Sequence, residues 1–419
     1  MSYCLQAGVA EIDITPRVGA RLAAELSPRV SQGVEMPLMA KALVLSDGNQ
    51  SAAIVTLDVF GLAPDVAGRL RSSIADLTGI DADAVMLVCS RTRGAPYTTA
   101  VVGWPEVDEE YLADLLEKAP GVVAEAQASK QDAAVGVGKA SLPHLAFNHR
   151  LMTRNMKAIS AWLGVPKNEV LAPEGPVDPD FGVMVVRSTA GCPIAILWNF
   201  AADSRFEAGD QISAGLSGSV QREVDARLGN HVPCLYMPGC GGNVSFAHGL
   251  EQTTDAAASG VLALLLETPC DPSMQLSVSS EPVVLPVRDY SEFWSEADIQ
   301  LKAPAAVDAF AKEIDLLAAE GAYAVPARVQ AFRIGRYAVV GLPGLPFSEF
   351  GLEIKANSPA KETIVAGCTD GDVGLVIARG AFEHGGFEAW TARSAQVGPG
   401  GGEFLAEEAQ ALLKGLWRK

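Results

Sequence analysis

Val85–Pro96, VMLVCSRTRGAP, is an apolar run that breaks into a loop carrying Arg91, Thr92 and Arg93. VMLVC has the length and β-branched content of a buried strand. Just before it, Pro64–Gly79 has apolar residues at helical spacing. Earlier still, AKALVLSDGNQSAAIVTLDVF (Ala40–Phe60) reads as a hairpin turning at Asp47-Gly48-Asn49. Strand, helix, strand is the α/β order, and in such proteins ligands sit beyond the carboxyl ends of strands. The loop after Cys89 is therefore a candidate site. If the strand runs on for a residue or two, alternation puts Arg91 and Arg93 on one side, where two guanidinium groups need an anion or a carboxylate between them. The competing reading is a pair of surface arginines matched to some of the chain's many acids.

Working outward, GVAEIDITPRVG near the amino end alternates like a strand and ends in a turn. Val107–Lys130 is an amphipathic helix followed by the strand DAAVGVGKA. Pro143–Asp180, with its prolines and His149, Arg150, Arg154 and Lys157, reads as a long irregular loop, a length usual only where a loop is functional or mobile. Gly182–Phe200 is a second hairpin. A helix over Ser213–Leu228, the strand CLYMPGCGGNVSF and an Ala-rich helix over Gln252–Leu266 follow. From Met274 the pattern gives a strand, a helix over Glu292–Glu320, the strands VQAFRIGRYAVVGLPG, a helix from Ser348, the strand ETIVAGC, a Gly-rich loop and a terminal helix. No repeat or linker divides the chain, so the expectation is a single mixed α/β domain over residues 1–419, with 274–335 as a candidate subdomain.

Composition narrows the functional classes. The 419 residues are 49% hydrophobic and 20% charged, a globular balance. The net charge of −18 opposes nucleic acid and anionic membrane surfaces, which makes a local pair of arginines the more conspicuous. No run approaches a membrane span, and the start lacks a signal-peptide pattern. The 7 cysteines show no CxxC pair and read as reduced thiols, so the expected compartment is the cytoplasm. The expected partner is a small anionic metabolite, with no nucleic acid, membrane or cofactor; homo-oligomer formation is left open.

GCGGNVSF (Gly239–Phe246) could present backbone N–H groups to an oxyanion, although a tight turn is the plainer reading. The 5 histidines show no paired ligand spacing, so no metal site is visible. Asp58 at a strand end and Asp203 in the AADSRF loop are the carboxylates best placed to act as base or orienter, against the plainer reading of structural caps or hydrogen-bond acceptors.

Taken together, AGVAEIDITPRVG, LDVF, SRTRGAP, FNHR, EGPVDPDFGVMVVR with LWNFAAD, PGCGGNVSF, GLPGLPFSEFG and VGLVIARGAFEHGGFEAW resemble, in order, the neutral/alkaline ceramidase family without its carboxy-terminal immunoglobulin-like domain. The resemblance implies a zinc-peptidase-like layered fold, a mixed sheet between helices, and amide hydrolysis with one zinc ion. The family's HTHSGP-like zinc motif falls on Arg91–Pro96, so both histidine ligands are arginine. The third histidine falls on Asp203, a glutamate on Leu345 and a tyrosine on Leu375. The family's serine falls on Ser245, with Asn243 and Phe246 where it has aspartate and proline. FNHR keeps an Asn-x-Arg that implies a ligand-facing Arg150.

The resulting expectation is a metal-independent enzyme that holds a small anionic or polyhydroxylated substrate on Arg91 and Arg93. Arg150, Arg205, Gly242 and Asn243 are further binding candidates. Asp203 is the candidate base, and Ser245 and His149 are the candidate nucleophile or second acid/base. Hydrolysis of an amide, ester or lactone ranks first. A lyase or isomerase with an arginine-stabilised enolate, a non-catalytic anion binder and a metalloenzyme with relocated ligands are the alternatives.

Overall fold

A computed structural model describes residues 4–23, 29–100, 106–164, 166–206, 209–288, 304–320, 324–390, 392 and 394–418. The chain opens with β1 (Gln6–Asp13), β2 (Met39–Ser46), β3 (Ser51–Leu57), α1 (Pro64–Thr78), β4 (Val85–Cys89), α2 (Glu109–Ala128) and β5 (Gln131–Ser141). Four short strands follow: β6 (Ala146–Asn148), β7 (Arg150–Thr153), β8 (Ala158–Ser160) and β9 (Val170–Pro173). Next come β10 (Asp180–Ser188), β11 (Pro193–Phe200), α3 (Gly215–Leu228), β12 (Cys234–Pro238), β13 (Val244–Phe246) and α4 (Leu250–Glu267). The remainder is β14 (Leu276–Pro286), α5 (Pro304–Glu320), β15 (Ala324–Ile334), β16 (Tyr337–Gly341), α6 (Ser348–Ala356), β17 (Glu362–Ala366), α7 (Arg379–His384) and α8 (Gly401–Trp417).

An eight-stranded sheet runs β12-β11-β10-β5-β1-β2-β3-β4. The end pairs β11–β12 and β3–β4 are parallel and the rest antiparallel, so the sheet is mixed, as the α/β reading expects. Both faces are covered, and β10 shows how. Phe181, Val183 and Val185 join one apolar cluster with α3 and α4, while Met184 and Val186 join another. The period of two thus sends alternate residues to opposite layers. On the second face, Gly182 sits opposite Ile364 of β17. That strand belongs to a four-stranded sheet, β14-β15-β16-β17, which shares the larger core. At the other end α2 lies on β1 so closely that a Cβ on Gly8 would stand 2.0 Å from the Ala126 carbonyl oxygen. Asp47 makes the first hairpin: its Oδ1 accepts from the backbones of Asn49 and Gln50, and its Oδ2 accepts from Leu276 at the head of the second sheet.

Two sequence expectations need correction. Pro143–Asp180 is not an irregular loop: β7 pairs with both β8 and β9 in a small sheet, and β6 pairs with β13. Strands of three or four residues are too short to show a period, so composition alone suggested a loop. CLYMPGCGGNVSF is likewise not one strand but β12, a turn and β13. Of the helix expected over Glu292–Glu320, the described part is α5, and residues 289–303 lie outside the described residues. Among the described residues no helix is long and apolar enough to cross a membrane.

Candidate functional site

β4 stops at Cys89, whose N–H donates to the Cys368 carbonyl, and Arg91 N–H turns to Val59. Arg91 has φ 59°, a left-handed conformation. Arg91 and Arg93 are therefore not brought to one side by strand alternation, as the sequence suggested; a kinked loop places them. The loop is anchored by Thr92, whose hydroxyl donates to the Ser213 carbonyl at 2.5 Å. The Arg91 guanidinium lies over the Phe60 ring, 4.4 Å from its centroid, with Nε 3.6 Å from Asp203 and Nη1 3.8 Å from Asp372. Arg205 donates from Nε to Asp203 Oδ2 at 2.9 Å. Burial works to raise the Asp203 carboxyl, but Arg205, Arg91 and Arg93 outweigh it and hold the group down at about 2.

A second cluster adjoins the first. Pairing of β6 with β13 puts Asn148 opposite Val244, and the His149 N–H donates to the Asn243 carbonyl. That register brings His149 Nδ1 to 2.8 Å from Ser245 Oγ. On the far side of the ring, Nε2 is 3.2 Å from Glu388 Oε1. The N–H direction at that contact falls outside good hydrogen-bond geometry, so the carboxylate orients the ring electrostatically. Facing a carboxylate, Nε2 carries the proton and Nδ1 is left to accept from Ser245. Desolvation lowers the His149 pKa, opposed by Glu388 and assisted by Arg205. Burial works to raise Glu388, but His149 and Arg150 hold it down at about 2, and Ser160 donates to its Oε1 at 2.7 Å. The arrangement is an ionised carboxylate behind a neutral imidazole that faces a hydroxyl, the relation needed to draw a proton from serine.

Asp203 joins the two clusters. Its backbone forms a parallel bridge with Ser245, and its N–H donates to the Val244 carbonyl. Arg205 stacks over Trp162 at 3.7 Å, and the same indole meets the His149 ring edge-on, centroids 4.5 Å apart. Trp162 thus separates the cation from the imidazole while touching both.

Other candidates take structural places. Arg150 is wholly buried. It donates to Glu174, to Glu388 at 2.7 Å, and to the Ala381 and Gly385 carbonyls. It cannot face a ligand, because every guanidinium nitrogen is already engaged. Asn243 donates from Nδ2 to Glu349 and accepts from the Ser348 N–H, and the Gly242 N–H donates to the Pro346 carbonyl, so both are engaged in contacts that fold the turn. The glycines of this turn permit a crossing: a Cβ on Gly241 would lie 2.6 Å from the Ala202 carbonyl carbon and 2.7 Å from Asp203 N. Both are backbone atoms and cannot step aside. Gly241→Ala should cost about 1–3 kcal/mol by overpacking. A denaturation midpoint equal to wild type would show the crossing to be looser than it is drawn. Asp58 is buried and accepts from Met39 N–H, which makes it a cap between β2 and β3.

The positions that the sequence resemblance aligns with zinc ligands gather in part: Arg91 and Arg93 act on Asp203, and Leu345 pairs with Leu375 in a two-residue parallel bridge. Guanidinium and leucine side chains have no lone pair for a metal, and Asp203 is already engaged by cations, so this donor set does not fit zinc. Among the described residues no group of three or more His, Cys, Asp or Glu could hold a metal ion. Sequence reading missed Glu388 and Trp162. Both lie far along the chain from their partners and show no local pattern, although Glu388 falls in the quoted EHGGFEAW.

No protein-family model and no curated protein matches the chain. Among solved structures it is similar to the neutral ceramidase from Pseudomonas aeruginosa, with TM-score 0.75 and 15% identity over 99% of this chain and 75% of that one. It is also similar to a ceramidase complexed with C2, with TM-score 0.75 and 14% identity over the same shares. The chain therefore has a ceramidase-like fold, and at this identity the likeness shows the fold alone.

Proposed function

We propose that the chain is a metal-independent hydrolase that cleaves an ester, amide or lactone of a small anionic substrate, with Ser245 as nucleophile. The observation that carries this reading is the line Ser245–His149–Glu388 beside a cluster of arginines. Ser245 Oγ attacks the substrate carbonyl carbon as its proton passes to His149 Nδ1. The proton is then given to the departing amine or alcohol as its bond to carbon breaks, leaving an acyl group on Ser245. Water repeats the sequence and releases the acid. Glu388 stays ionised and steadies the imidazolium that forms in between. Asp203 serves as counterion and not as base, since a carboxyl held at about 2 by three arginines has little affinity for a proton.

The ceramidase-like fold of the neighbours supports a hydrolase, and the arginine and leucine side chains at the zinc-matched positions support its working without a metal. Activated esters such as 4-nitrophenyl acetate provide the test. Hydrolysis should persist in excess chelator and depend on Ser245. Activity that appears only with added zinc would overturn the reading.

The pH profile follows from His149. Its folded pKa lies below the ordinary histidine value, and the base is active only when neutral. Activity should therefore be full above about 6.5, the unperturbed value, and fall only in more acidic solution as the imidazole protonates. A profile still rising through pH 8 would assign the base elsewhere.

A further inference from the structure

Arg91 differs from the other buried arginines of the chain. Arg150 and Arg71 are tied into hydrogen-bonded ion pairs, Arg71 to Asp370 at 2.8 Å. Arg91 is nearly as buried, yet its Nε has no hydrogen-bond partner, its nearest carboxylate oxygens, at 3.6 and 3.8 Å, are beyond hydrogen-bond reach, and the side chain it does bond is the Cys368 thiol, a weak acceptor. One ring face of the guanidinium is taken by Phe60, which leaves the edge as the direction in which it can bond. The backbone is unusual at the same place. Arg91, Cys368 and Asp370 all have positive φ, and Cys368 and Asp370 both bond across β4, at Cys89 and Leu87. Such conformations are disfavoured for residues with a side chain and cluster where a site constrains them.

We infer that Arg91 is the seat for a carboxylate of the substrate, so that the molecule cleaved is an ester or amide carrying a free carboxylate a few bonds from the scissile carbonyl, as in a dicarboxylic half-ester or an N-acyl amino acid. This rests on the serine reading above. The spacing comes from Asp203, which lies against Arg91 on one side and whose backbone bridges to Ser245 on the other, neighbouring strands being about 4.8 Å apart. A single negative charge is favoured over a phosphate dianion. Asp203 and Asp372 already stand within 4 Å of the guanidinium, and a second charge on the ligand would face them both. The planar fork of arginine matches the two oxygens of a carboxylate, which lysine cannot do.

Calorimetric titration with butyrate, a monocarboxylate, and with inorganic phosphate tests the inference on wild type, Arg91→Lys, Arg91→Gln and Ser245→Ala. Butyrate should bind wild type and Ser245→Ala alike, at least about 10-fold more weakly to both Arg91 variants, and more tightly than phosphate. Butyrate should also raise the wild-type melting midpoint where phosphate does not, a measurement that needs no variant to fold. Equal affinity of wild type and Arg91→Lys, or phosphate bound as tightly as butyrate, would overturn the seat. Butyrate binding through Arg91 in a protein whose Ser245 proves unreactive would keep the seat and remove the hydrolase reading.

Discussion

Ser245→Ala is expected to lower kcat on any ester the protein turns over by about 10³-fold or more, with the fold unchanged. The magnitude comes from removing the nucleophile of a unit whose members act together. Ser245 is the group that would form the covalent bond, and among the described residues no second hydroxyl is bonded to His149 Nδ1. The substitution deletes one oxygen and one hydrogen bond, so a large effect on turnover with a small effect on stability separates chemistry from folding. His149→Gln should act in the same direction, and the double variant should lose no more than either alone. A double variant that loses the product of the two would mean that serine and histidine work independently.

Arg150→Met is expected to be the most damaging substitution for stability, at about 3–5 kcal/mol, read from denaturant unfolding. Arg150 and Glu388 are both wholly buried, and Glu174 nearly so. Removing the cation leaves two carboxylates in the interior without their arginine, held only by Ser160 and His149 at Glu388 and by His384 at Glu174, and that penalty exceeds the net worth of the intact pair. The remedy follows from the same argument: Arg150→Met combined with Glu388→Gln should recover part of the loss, because the uncompensated charge is gone. The combined variant should still be inactive, since an amide cannot steady an imidazolium as a carboxylate does. Recovery of activity in that variant would remove Glu388 from the relay.

The large sheet was legible in the sequence because its strands are buried on both faces and read as unbroken apolar runs, VMLVC and VMVVR above all. The small sheet around Arg150–Pro173 was not, since three or four residues carry no period and its prolines read as breaks. The loop at Arg91 was legible as a place and not as a geometry. A strand continued by alternation predicts two arginines side by side, whereas a left-handed Arg91 turns the chain after Ser90. Ser245 and His149 could each be named from the sequence but not paired, because the contact depends on the register of β6 against β13. Arg150 shows the opposite failure. An arginine in a retained motif suggested a ligand contact, and only tertiary structure reveals the two glutamates that occupy it.

The central claim is that Ser245 is a nucleophile activated by His149, and a fluorophosphonate followed by peptide mass spectrometry tests it most directly, since the probe forms its adduct only on an activated hydroxyl. A single adduct is expected on the peptide containing Ser245 in chelator-treated wild-type protein, none in Ser245→Ala, and labelling slowed by about 10²-fold or more in His149→Gln. Folded wild-type protein that remains unlabelled, or His149→Gln labelled as fast as wild type, would contradict it.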